Sequence, residues 1–161
     1  MLHKRDLLVA AIAASVTLAC VSMADEAKQV LDSTAWKWED IKAKDTDVGQ
    51  YRYVTRQPTR TLDELEMHIT TLKPHTASHA PHTHPNEEMV IVKEGTLQAH
   101  VNGKEIVVGP GSVLFFASMQ PHAVQNIGDT AATYHVINWK TAATPAAIKQ
   151  IPATPSKAAS Q

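Results

Sequence analysis

The sequence predicts an all-β protein, a sandwich or barrel of short strands, and three observations carry the prediction. From Leu62 onward, Leu65, Met67, Ile69 and Thr71 alternate with Glu64, Glu66, His68 and Thr70, the period of two of a strand with one apolar and one wet face. Asn102-Gly103 separates the runs Thr96–Val101 and Glu105–Val108. That dipeptide favours a type I′ hairpin, whose two central residues both need positive φ. Gly109-Pro110-Gly111 then marks a second tight turn ahead of the apolar run Val113–Phe116. Short strands punctuated by Gly/Pro turns are the pattern of two-layer β architectures.

The elements follow in order. His3-Lys4-Arg5 precedes the uncharged stretch Leu7 to Ala24, and Ser22-Met23-Ala24 puts small residues where a signal peptidase reads. Residues 1–24 are therefore expected to be a signal peptide cut after Ala24, giving a periplasmic or secreted protein that meets the membrane only during export. An uncleaved anchor is the competing reading, but the stretch is rich in Ala, Ser and Thr and only mildly hydrophobic. Lys4-Arg5-Asp6-Leu7-Leu8 is similar to a degenerate twin-arginine signal, so general secretion and twin-arginine export both stay open. Thr17-Leu18-Ala19-Cys20 is a poor lipoprotein box, because Thr17 stands where leucine is wanted. Cys20 is the only cysteine. Cleavage leaves no thiol, hence no internal disulfide, thiolate zinc site or cysteine nucleophile.

Residues 25–60 are expected to form an N-terminal arm or edge strand. It contains Trp36 and Trp38, then the strand Gln50–Val54, and either packs across the barrel or contacts a second subunit. Residues 61–140 should hold the barrel. Its strands are the alternating run above, Glu88–Val92 (apolar at its end and expected to be buried on both faces), the Asn102-Gly103 hairpin, Val113–Phe116, His122–Gln125 and Thr133–Trp139. Residues 141–161, rich in Ala, Thr, Pro, Ser and Lys, read as a flexible tail. At 161 residues the chain suits one domain, and a net charge of −1 without a basic cluster gives nucleic acid no electrostatic footprint.

The most informative chemistry lies in Pro81-His82-Thr83-His84-Pro85-Asn86-Glu87-Glu88 and in Gln120-Pro121-His122-Ala123-Val124-Gln125-Asn126. On an extended strand His82 and His84 point the same way, and Glu88 shares their parity. Imidazoles with one carboxylate suit a divalent first-row metal and would leave two positions of an octahedral ion open to water, dioxygen or substrate. His82-x-His84, Glu88 and Gly95 follow the first motif of the cupins. Gly103, Pro110-Gly111, Phe115, Pro121, His122 and Asn126 match the second in part. Over roughly residues 60–140 the chain thus resembles that family. Two departures are Thr76, where a glycine usually stands, and Gly109 with Pro110 in place of the usual Pro-x-Gly.

The resemblance implies a double-stranded β-helix, or jelly-roll barrel, with one metal held by His82, His84, Glu88 and His122. The metal could be Fe, Mn, Cu, Ni or Zn. It further implies a small-molecule substrate or ligand and a possible homodimer. The expected function is a metal-dependent oxidoreductase of dioxygenase type, with Glu88 as the candidate catalytic base. A non-catalytic metal or small-molecule binder is the alternative, and a metal-dependent isomerase or hydrolase the third.

The remaining polar residues have plainer expectations. Glu87 would replace Glu88 only after a one-residue register slip. His75 and His79 read as solvated loop residues or as a gate to the site. His68 is expected to be exposed on the wet face of its strand, His100 to face cavity or solvent, and His135 to be a satisfied core histidine. Met89, Ile91, Phe115, Phe116, Met119 and Trp139 are the expected apolar lining. Arg52, Arg56 and Arg60 would imply acidic substrates if one of them reached the pocket.

Overall fold

A computed structural model describes residues 30–144. The expected signal peptide, its cut after Ala24, Cys20 and the tail beyond Thr144 lie outside the described residues. Nine strands form two antiparallel sheets. They are β1 (Ala43–Thr46), β2 (Gly49–Gln57), β3 (Glu64–Leu72), β4 (Glu87–Glu94), β5 (Leu97–Val101), β6 (Lys104–Val108), β7 (Val113–Phe116), β8 (Ala123–Asn126) and β9 (Ala132–Lys140). The large sheet runs β1-β2-β3-β9-β4-β7 and the small one β6-β5-β8. Among the described residues the only helical element is a single 3-10 turn, Trp38–Asp40. The all-β jelly roll expected from the sequence is the fold observed.

The turns form for the predicted reasons. Asn102 and Gly103 both take positive φ, 50° and 74°, which matches the right-handed twist of the hairpin β5–β6. Gly111 sits at φ 83° and Ser112 N donates to Gly109 O at 3.1 Å, so Pro110 and Gly111 are the centre of a type II turn feeding β7. Leu72, Val90, Val92, Leu97, Phe116 and Val124 are among the residues of one buried cluster between the sheets. Asn126, fully buried, donates through Nδ2 to the carbonyls of Leu72, Lys73 and Thr130 and accepts from Gly128 N, tying β8 to the loop after β3.

Three expectations need correction. The strand read at 50–54 is longer and is an inner member of the large sheet, paired with β1 on one side and β3 on the other. Strand β4 is not buried on both faces: Val90 and Val92 are buried, whereas Met89 and Ile91 are only half-buried and lie across from Phe115 and Val113. The polar face of β3 is not wet. Glu66 is 9 % exposed, His68 is half-buried, and His68 and Thr70 line the interior cavity. Alternation gives two faces but not which one faces solvent; here the polar face points inward, because the barrel encloses a polar cavity.

Candidate metal centre

Three stretches of chain bring the predicted ligands together. His82 and His122 are paired by two backbone hydrogen bonds, His82 N to His122 O at 3.2 Å and His122 N to His82 O at 3.1 Å. This isolated bridge at the mouth of the small sheet sets two imidazoles side by side. His84 follows two residues on, and its carbonyl accepts from Met119 N at 2.9 Å. Met119 takes a left-handed φ of 60°, and Ser118 Oγ donates to Pro85 O, so the loops carrying His84 and His122 are latched to each other. Glu88 enters from β4.

Nitrogens of His82, His84 and His122 all lie within 4.8 Å of one another. Glu88 Oε2 lies 3.4 Å from His84 Nε2, and Oε1 3.9 Å from His122 Nε2. Bonds to an ion of about 2.1 Å would require only a modest contraction of such a cluster. The outer nitrogens are engaged: His84 Nδ1 donates to Asn86 O at 3.0 Å and His122 Nδ1 to Gln120 O at 2.9 Å. Both rings are thereby held with Nε2 turned to the common centre, as metal ligands are usually held by their second nitrogen. Phe116 stacks on His122 at 4.4 Å. His122 Nε2 is buried and has no hydrogen-bond partner among the described residues. A buried polar atom without a partner is costly, and a metal ion would satisfy it. The donor set fits a divalent transition metal.

The electrostatics favour neutral imidazole at two of the three histidines. Burial holds the proton affinity of His122 below that of an ordinary histidine. Burial, then the neighbouring His79, does the same for His82. His84 is raised by its hydrogen bond to Glu88. For Glu88, burial pushes upward, but the His84 hydrogen bond and the charges of His122 and His84 outweigh it and leave the carboxyl lowered.

The cluster opens into a cavity of about 510 Å3, within the range of small-molecule sites. Its walls are Gln50 and Tyr51 of β2, His68 and Thr70 of β3, and Tyr134, Val136 and Asn138 of β9. Burial pushes the Tyr134 phenol up to about 12, even though Ser78 and Thr70 hydrogen-bond to it. It therefore stays a neutral donor across the working pH range.

None of the six residues expected to line this cavity does so. Parity explains it: if Glu88 points inward, Met89 and Ile91 must point outward, and Phe115 and Trp139 stack on each other on the outer face at 6.4 Å. Met119 is exposed, and Phe116 supports His122 from behind. His135 is no core residue but half-buried, with the parity of the outer face. Glu87 accepts from Trp139 Nε1 at 3.1 Å, away from the cluster. His79 lies at the cavity mouth, 4.1 Å from the His82 ring. His75 pairs with Asp129 and His100 with Glu105 on the surface. Among the described residues no arginine lines the cavity: Arg52 lies over Trp38, Arg56 pairs with Glu64 and Arg60 with Asp32. The sequence reading missed Glu66, His68, Tyr51 and Asn138 as interior residues. Their place follows from the register with Glu88 across β4, β9, β3 and β2, which only the folded sheet supplies.

Comparison with known proteins gives one answer on fold. Residues 68–138 match the family model described as a cupin domain. A search of curated proteins gave no match. Among solved structures, the chain is similar to an RmlC-like cupin from Shewanella frigidimarina, with 14% identity, 69% of this chain and 94% of that one covered, and a TM-score of 0.56. It is similar to a predicted oxalate decarboxylase from Thermotoga maritima, with 17% identity, 66% and 99% covered, and a TM-score of 0.55. KdgF from Halomonas sp. gives 13% identity, 66% and 94% covered, and a TM-score of 0.56.

Proposed function

The chain belongs to the cupin superfamily, and from that premise we propose that it is an exported metal enzyme, an oxidoreductase of dioxygenase type acting on a small organic molecule. His82, His84, Glu88 and His122 would hold one divalent transition metal. The observation that carries this is the convergence of three imidazoles and a carboxylate on one centre, with His122 Nε2 buried and unpartnered and a cavity leading to it. When bound, such a metal supplies Lewis acidity and open positions for substrate and a co-reactant.

The residues do the rest. His84 and His122 keep Nε2 inward through their backbone hydrogen bonds. Glu88 lies near enough to both to serve as a ligand and to take a proton from a substrate oxygen bound beside it. The cavity wall offers hydroxyl, phenol and amide groups but no lysine or arginine, which favours an uncharged, hydroxylated substrate over a polyanion.

The test is elemental analysis of the protein from its native compartment, with dioxygen uptake followed on a panel of catechols and enols. One iron, copper or manganese per chain with uptake is the expected result. Stoichiometric metal without uptake or any other turnover would instead make the protein a binder, the reading favoured by its minimal barrel. Isomerisation or hydrolysis without uptake would move it to the third class.

A further inference from the structure

A second chemical group stands in the cavity, apart from the metal residues. Glu66 is buried behind the cavity wall, and its cross-strand partner on β2, Arg56, forms its ion pair with Glu64. Its Oε2 accepts from Asn138 Nδ2 at 2.6 Å and its Oε1 from His68 Nδ1 at 2.7 Å. With Nδ1–H committed to Glu66, the neutral His68 ring offers Nε2 as a bare acceptor. No residue among those described donates to that nitrogen, and His68 lines the cavity. The Tyr51 ring packs against it at 4.9 Å.

Register places this pair relative to the metal residues. Glu66, Asn138 and Glu88 are cross-strand partners in one row over β3, β9 and β4. At a strand spacing of about 4.8 Å, the β3 backbone runs about 10 Å from that of β4. One hydrogen-bonded chain joins the two places: His84 Nδ1 donates to Asn86 O, Asn86 Nδ2 to Asn138 Oδ1 at 3.2 Å, Asn138 to Glu66, and Glu66 accepts from His68. The separation suits a ring-sized molecule bound at both ends.

We propose that His68, positioned by Glu66, is a second proton acceptor of this cavity, serving the end of a hydroxylated substrate remote from the histidine cluster; the inference rests on the metal-site reading above. In the step, a substrate O–H bond breaks and its electron pair stays on oxygen. The proton forms an Nε2–H bond on His68, and the Glu66 carboxylate faces the resulting imidazolium. The other titratable or charged groups facing this pair are Tyr51 on β2, Tyr134 on β9, Glu88 on β4 and the four histidines His79, His82, His84 and His122 around the cavity, with Arg56 on β2 as the cross-strand partner of Glu66. A carboxylate that orients a histidine and offsets its charge is a recurrent arrangement in proton transfer.

The test uses the full chain loaded with zinc, which is redox-silent, and nitrohydroquinone, whose two hydroxyls stand at opposite ends of one ring and whose colour reports how many of its protons remain. The wild type should hold the dye fully deprotonated at neutral pH. His68→Gln and Glu66→Gln should hold it with one proton, reaching full deprotonation only at a pH at least one unit higher, with zinc content unchanged. The same colour and pH dependence in all three proteins would overturn the proposal. Ring 15N signals of the metal-free protein decide independently of any dye. A His68 protonated on Nδ1 and bare on Nε2, with that preference lost in Glu66→Gln, supports it. A proton on Nε2 in the wild type overturns it. Failure of the dye to bind the zinc protein at all would count against the functional reading above, while the ring signals still judge His68.

Discussion

At the scale of single residues, the site is a set of histidines made unequal by their surroundings. His122 is 2 % exposed and its Nε2 has no partner among the described residues, so it has the most to gain from an ion. His122→Ala and His84→Ala should each abolish stoichiometric metal binding while leaving the β-sheet circular dichroism intact; full metal content in both variants would refute the ligand set. His79→Ala, which removes only a ring at the mouth, should change metal affinity by less than about tenfold. The pH dependence has a definite sign. His84 is raised by Glu88, so as pH falls it takes up a proton above 6.5, earlier than an ordinary histidine. Its contribution to the stability of the metal-free fold is full below 6.5 and is lost as pH rises through the raised value. His82 and His122 are lowered and resist protonation, and their contribution runs the other way, present above 6.5 and lost on acidification. Metal must displace the His84 proton, so affinity should begin to fall above pH 6.5 as the solution is acidified. Metal titrations in weak buffer at several pH values should show that proton released.

At the scale of elements, the turns and close approaches set the strand register. Gly95, at φ 86°, ends β4, and a Cβ there would stand 2.4 Å from Ala132 Cβ at the start of β9. Gly95→Ala should therefore cost about 3 kcal/mol, combining left-handed strain with overpacking. Gly103→Ala meets nothing within 4 Å and should cost only the left-handed penalty, about 1 kcal/mol. Urea melts of the two variants would read the difference; equal losses would mean that the β4–β9 approach is looser than described. The same strands explain the reversal of β3. Its apolar and polar rows were legible, but Glu66, His68 and Thr70 face inward because β9 presents Asn138, Val136 and Tyr134 opposite them around a cavity.

At the scale of the whole molecule, the histidines and Glu88 come from both sheets: Glu88 from β4 in the large one, His122 from the residue entering β8 in the small one, and His82 and His84 from the loop between β3 and β4. A metal bound there would clamp the two layers. Ligand present at 1,000 times its Kd stabilises the folded state by about 4 kcal/mol. Chelation should therefore lower the Tm by roughly 12 °C, taking about 3 °C per kcal/mol for a domain of this size. A Tm insensitive to chelator, in protein shown to contain metal beforehand, would contradict a bridging ion. Export is checked by the N-terminus of the protein from its native source: Asp25 is expected, and an intact leader in soluble protein would remove that reading. We propose the outer face of β4, β7 and β9, where Val113 and Phe115 are exposed, as the contact of a homodimer. Light scattering of wild type against Phe115→Lys measures it, a monomeric wild type being the contrary result.

The sequence by itself determined the all-β class, the hairpin at Asn102-Gly103, the turn at Pro110-Gly111 and the identity of the four convergent residues. The class and the turns are written in local chemistry, a period of two and a φ only glycine or asparagine tolerates well, and the four residues were legible through their resemblance to the two cupin motifs. Tertiary structure alone decided which face of each strand is interior. Parity relates residues within one strand, whereas inside and outside are fixed by what neighbouring strands enclose. That is why Phe115 and Trp139, apolar, lie on the outer face, and why Glu66 and His68, polar, lie within. The His82–His122 bridge is equally a product of the closed barrel, since the two residues meet through backbone bonds across forty positions of chain. A buried charge needs donors to satisfy it. Only the assembled sheet, with Asn138 and His68 beside Glu66, provides them.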